Sequence, residues 1–159
     1  MVMEEIKDKF SVKATAAILE IKEIIKEHGD KKIGEVTLAQ AYQGMRGITG
    51  LVTETSLLDA QEGIRFRGFS IPELQAKLPK APNGDEPLPE GLFYLMMIGE
   101  LPAERDVKKV TSNWQRRSHV PSHVFDVIDA FPINSHPMTM YVAAVMALQT
   151  ESKFAHAQI

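Results

Sequence analysis

The chain has 159 residues, 44% hydrophobic and 25% charged, with a formal net charge of −3 at pH 7 and no cysteine. That length supports one domain, or part of one, with a sizeable core. The charge balance excludes a general nucleic-acid binder, which would be basic. The absence of cysteine excludes disulfides, thiolate nucleophiles and cysteine-ligated metal centres.

The first ten residues, MVMEEIKDKF, mix acids and bases and lack the acid-poor, arginine- and serine-rich character of an organelle transit peptide. Residues 4–28 are predicted to form an amphipathic helix. Ala14, Ile18, Ile21 and Ile25 recur at helical spacing, Ala17 and Ile24 widen the stripe, and Gly29 stands just past the end. Glu5 and Lys9 are placed to pair one turn apart. The stripe is expected to meet a core or a partner; the mixed-sign polar face does not fit a membrane surface.

Thr37 with Gln40 three residues on reads as a capping box that starts a short helix. The stretch from Tyr42 to Gly68 then breaks the helical pattern. It holds five of the ten glycines and sets Arg46, Arg65 and Arg67 beside them. Glycine permits positive φ and close backbone approach, and arginine presents a planar fork to phosphate or carboxylate. Arg46 is expected in an exposed turn where the helix ends. Alternation of Ile64 and Phe66 with Arg65 and Arg67 predicts a small β-hairpin around residues 54–67, turning at Asp59–Gly63. Ion pairs of Arg65 and Arg67 with Glu54, Asp59 or Glu62 are the structural expectation for those two residues.

Ser70 is predicted to cap a helix through Leu78, with Leu74 and Leu78 inward. Four prolines and an Asn-Gly pair then mark an exposed loop. The run LFYLMMI within Pro89–Ile98 has no polar face, so that helix is expected at the centre of the core, buried on all sides, with Gly99 ending it. Pro102 opens the next helix, with Val107, Val110 and Trp114 inward and Arg116 and Arg117 near its C-terminus. Pro121 begins another, with Val124, Ile128 and Phe131 inward. Ser135 is read as the cap of a last long helix reaching about Gln149, with a small-residue surface of Ala143, Ala144 and Ala147. Its apolar run is too short to cross a bilayer. A further helical start at Lys153 runs on to Ile159 with no Gly, Asn or Pro to end it, the pattern expected of a piece of a longer chain.

No catalytic constellation is visible in the residues. His119 and His123 have a helical ligand spacing, but Pro121 lies between them and no third ligand is near in sequence, so no metal is expected. There is no phosphate loop and no nucleophile elbow. What remains is an anion-binding corner on a mainly α scaffold.

Several stretches in order carry a resemblance: QGMRGITGL, ETSLLDAQEGIRFRGFSIPELQ, EPLPEGLFYLMMIGELP and VPSHVFDVIDAFPINSHPMT with VMALQTES. Together they resemble citrate synthase of the mitochondrial eukaryotic type, from about residue 18 onward. The resemblance implies a multi-helical large domain, of which residues 1–159 would be the N-terminal part, and a smaller domain outside this stretch. It implies a homodimer that condenses acetyl-CoA with oxaloacetate to give citrate and CoA, without metal or redox cofactor. An aspartate and two histidines would do the acid–base work in a closed site. None of the five histidines here matches those motifs, so no catalytic residue is assigned and the 159-residue chain alone is expected to be inactive. Arg46 matches an arginine associated with CoA phosphates, although Gln43 stands where that motif commonly has glycine. The helix from Met138 to Gln149 resembles one at the family's dimer seam. Mitochondrial matrix is the implied compartment, with a peroxisomal isoform as the other. A short noncatalytic helical module that pairs with itself, or with a complete citrate synthase, is the other reading of the chain.

Overall fold

The computed structural model describes residues 2–157. Among these there are eight α-helices and one three-stranded antiparallel sheet. The chain forms two compact units, one running to Gln115 and the other starting at Arg116.

In the first unit, α1 (Val2–His28) and α2 (Leu38–Tyr42) precede the sheet. Strands β1 (Ser56–Asp59), β2 (Gly63–Phe66) and β3 (Phe69–Ser70) pair in sequence order. Asp59 makes the first turn. Its Oδ1 accepts from the backbone N–H of Gln61 and Glu62, at 2.7 and 2.9 Å. These donors, that of Glu62 foremost, hold the Asp59 carboxyl below its usual range. The sequence predicts a two-stranded hairpin; the structure adds β3. Arg67 and Gly68 have φ of 49° and 85° and form a two-residue turn, so Phe69 returns opposite Phe66. Two successive positive φ values match the twist of a tight hairpin.

Ser70 caps α3 (Ile71–Lys77) as predicted, and the structure adds a reciprocal box with Glu73. Leu74 and Leu78 are buried and pack with Leu95 of α4 (Pro89–Ile98), flanked by Phe66, Phe69 and Leu92. A second cluster joins Ile6 of α1, Tyr94 and Ile98 of α4, and Val110 of α5 (Glu104–Arg116). Helix α4 is thus shared by both clusters, as its apolar run predicts. It is not buried on all sides, since Leu92, Phe93, Met96 and Met97 keep partial exposure. Gly99 ends it in the left-handed conformation at φ 78°. Trp114 is not an inward residue. It remains 38% exposed and meets Phe93 edge-on at 5.3 Å between ring centroids.

Helix α1 forms as predicted, but its apolar stripe does not enter the core. Ile6 is its buried hydrophobic residue, whereas Ile18, Ile21 and Ile25 are about half exposed or more. Beside Ile6, α1 is docked by Glu5, Lys9 and Lys13, successive residues of one face. Lys109 Nζ donates to Glu5 at 2.6 Å, Lys9 Nζ donates to the Tyr94 hydroxyl at 3.2 Å, and Lys13 donates to Glu100.

These exposed pairs give α1 docking a pH window. The Lys109 hydrogen bond depresses the Glu5 carboxyl below 4.5, and Lys13 does the same for Glu100. A depressed carboxylate stabilises docking above its ordinary pKa and loses that contribution as pH falls through the folded value. Lys9, raised by its bond to Tyr94, contributes below 10.5 and is lost as pH rises through its folded value. Amide exchange in residues 6–13 is therefore expected to accelerate below about pH 4.5, and in high salt, before exchange in α4 does. Simultaneous release of both helices would show that Ile6, not the ion pairs, holds α1.

In the second unit, α6 (Ser122–Asp129) packs against α7 (Pro137–Ala147), which continues as a 3₁₀ turn at Leu148–Glu151 before α8 (Lys153–Ala157). Val124 is buried, and Ile128 and Phe131 are half-buried as predicted. The cap of α7 is His136 rather than Ser135: its Nδ1 accepts from Met138 N–H at 3.1 Å. In α7 the alanines at 143, 144 and 147 are half-buried, while Met138, Tyr141, Val142, Val145 and Met146 are exposed. The end of the predicted pattern at Ile159 lies outside the described residues.

Candidate functional site

Arg46 stands where the sequence predicts, just past the end of α2. The Thr37 box sets that helix: Gln40 N–H donates to Thr37 Oγ1, and Gln40 Oε1 accepts from Thr37 N–H at 3.0 Å. The other end of the Gln40 side chain holds the turn, with Nε2 donating to the Arg46 carbonyl at 3.4 Å. Met45 N–H closes back on the Gln40 carbonyl at 2.8 Å, and Ile48 N–H on the Met45 carbonyl at 3.2 Å. Gly44, Met45 and Gly47 all have positive φ, at 74°, 61° and 76°. The chain therefore coils tightly around Arg46 and leaves its side chain exposed. Among the described residues the Arg46 guanidinium has no hydrogen bond or ion pair. A free guanidinium on a constrained turn is available to a phosphate or carboxylate.

Gln40 is the contributor that sequence reasoning undervalues. It is legible as a cap partner three residues from Thr37, but its second bond, to residue 46, follows from the loop's path alone.

The other two arginines are not brought to this turn as free cations. Arg65 pairs with Glu62 at 2.8 Å, one of the predicted acids, approaches Glu73 at 3.6 Å, and donates to the Gly68 carbonyl at 3.0 Å. Arg67 departs from the expectation of an acidic partner. Its Nε and Nη2 both donate to the Met96 carbonyl near the end of α4, at 3.2 and 2.8 Å. Positive φ carries Arg67 out of the strand, so it does not share a basic face with Arg65.

Four of the five histidines are engaged locally. His123 Nε2 contacts the Ala147 carbonyl at 3.1 Å, His156 Nε2 the Thr150 carbonyl at 2.9 Å, and His136 caps α7. His28 lies 4.0 Å from neighbouring Glu27. Among the described residues no three His, Cys, Asp or Glu side chains converge to hold a metal, and no helix is long and apolar enough to cross a membrane.

Comparison with known proteins identifies the lineage. A family model described as citrate synthase, C-terminal domain, matches residues 44–158, beginning at the glycine two positions before Arg46. The chain is 53% identical over 137 residues to the mitochondrial citrate synthase of Kajikia audax, covering 86% of this chain and 29% of that protein. It is 51% identical over 154 residues to the mitochondrial citrate synthases of Aspergillus niger and Saccharomyces cerevisiae, covering 97% of this chain and 32% of each. The chain spans about a third of the length of these relatives. With its mainly α architecture and a family match over most of its length, the chain belongs to the citrate synthase family.

Proposed function

We propose that the protein carrying this sequence condenses acetyl-CoA with oxaloacetate to give citrate and CoA, as an acyltransferase of the citric acid cycle. The observation that carries the reading is the family match across residues 44–158, with about half the residues identical to proteins named citrate synthase. In this reading residues 1–159 are the N-terminal part of the large helical domain, and Arg46 binds a phosphate of CoA. The free guanidinium and the turn built by Gln40 support that role. No catalytic role falls to the histidines of this chain, and no metal or redox cofactor is required. The homodimer seam runs over α7, where the bulky exposed side chains from Met138 to Met146 offer the apolar surface. The names of the relatives favour the mitochondrion, with the matrix as the site of action.

The test uses the complete protein. CoA release should require both substrates and should be absent with the 159-residue chain alone. Arg46→Ala should raise the KM for acetyl-CoA roughly 10- to 150-fold, the loss of one well-placed charge-assisted contact, and leave the KM for oxaloacetate unchanged. Equal effects on both substrates, or none, would make Arg46 a structural residue. Absence of CoA release from the complete protein would overturn the activity itself.

A further inference from the structure

We infer that Asn83 is a site of spontaneous self-modification, at which the Asn83–Gly84 pair converts to aspartate and isoaspartate. The pair lies in the loop between α3 and α4, in a turn made by Ala81, Pro82, Asn83 and Gly84. Gly84 N–H donates to the Ala81 carbonyl at 2.9 Å, and Asn83 has φ 62°. Proline at the second position and positive φ at the third are the marks of a type II turn. Asn83, Gly84, Asp85 and Glu86 are all exposed, so no packing shields the side-chain amide. The loop is tied behind this tip by the Lys80–Pro87 bridge and by Leu88 N–H on the Pro79 carbonyl at 3.1 Å. The tip can therefore open without disturbing either core cluster.

The chemistry needs only water. The Gly84 amide nitrogen attacks the Asn83 side-chain carbon Cγ. A new N–Cγ bond closes a five-membered succinimide. The side-chain nitrogen leaves as ammonia, which accounts for the proton lost from the Gly84 amide. Water then adds to one of the two imide carbonyls. Breaking the N–Cγ bond restores a normal backbone with Asp at 83. Breaking the bond between Gly84 nitrogen and the main-chain carbonyl carbon of residue 83 gives isoaspartate, with the chain rerouted through Cβ. The nucleophile is held within reach by the chain itself, and glycine adds no side chain to obstruct it. In the closed turn the Gly84 N–H is occupied by Ala81, so reaction proceeds from the opened tip.

The chain supplies its own comparison, because its other asparagines are Asn113 and Asn134. Asn113 is 2% exposed within α5 and precedes Trp114. Asn134 is exposed but precedes Ser135. The purified chain is aged in warm neutral buffer, and peptide mapping follows acid and isoaspartate at each position. Residue 83 should convert first, Asn134 more slowly and Asn113 last. Gly84→Ala should slow position 83 roughly tenfold by crowding the attacking nitrogen, and Asn83→Gln should bring isoaspartate there to background. Aging in urea should accelerate position 83, since the Ala81 hydrogen bond is then gone. Conversion at 83 no faster than at 134, or isoaspartate at 83 unaffected by Gly84→Ala, would overturn the assignment.

Discussion

Leu95→Ala is expected to destabilise the first unit by about 2–5 kcal/mol, the usual cost of a large cavity in a packed core. Leu95 is fully inaccessible and packs with Leu74 of α3 and Leu78 just past its end, with Phe66, Phe69 and Leu92 at the margin. Sheet, α3 and α4 all reach this one side chain, so no single element can relax to fill the space. Urea unfolding followed by fluorescence of Trp114, the only tryptophan, reports on this unit because the indole on α5 packs on Phe93 of α4, the helix that carries Leu95. Leu58→Ala, at a residue 76% exposed, serves as the contrast and should stay within about 0.5 kcal/mol of wild type. Equal midpoints for the two variants would remove Leu95 from the centre of the core.

Arg67→Ala carries the second large effect, about 1.5–3 kcal/mol, because a charged donor is withdrawn from a half-buried carbonyl. Both guanidinium bonds end on the Met96 oxygen, one of the last carbonyls of α4, which lack helical partners. The same side chain lies against Gly99, 3.8 Å from where a Cβ there would stand. It therefore joins the hairpin turn to the helix end. Arginine and alanine are both strained at φ 49°, so Arg67→Ala reports the lost bonds while the backbone strain stays. Arg67→Gly separates the two contributions: it frees the backbone and still loses the bonds. Its stability should fall between Arg67→Ala and wild type. A glycine variant more stable than wild type would show that the bonds to Met96 contribute less than the strain they impose.

These residues also mark where the sequence was legible. The Thr37–Gln40 capping box and the Ser70 cap were readable because their chemistry closes within three residues. Gly99 and the all-apolar face of α4 were readable for the same local reason. Arg46 was placed correctly at a helix break by the flanking glycines. Arg67 was not, because its partner is 29 residues away and depends on how the hairpin meets α4. The two-residue strand β3 has too little alternation to signal itself and exists through its pairing with β2. Ser135 was a better cap by residue preference, yet the path of the chain gave that position to His136. The isoleucines of α1 show the opposite failure. Their periodicity states that something should cover them, and it does not state what.

The bonds that dock α1 have a consequence for biosynthesis. Tyr94, Glu100 and Lys109 follow their partners on α1 by 85, 87 and 104 residues. The sheet and α3, by contrast, close through short turns and can form while the chain is still being made. At ordinary translation speeds Glu5 is polymerised roughly 5–20 s before Lys109. Helix α1 thus waits for partners made much later, and through that interval it shows a bare isoleucine stripe to whatever chaperones attend the nascent chain.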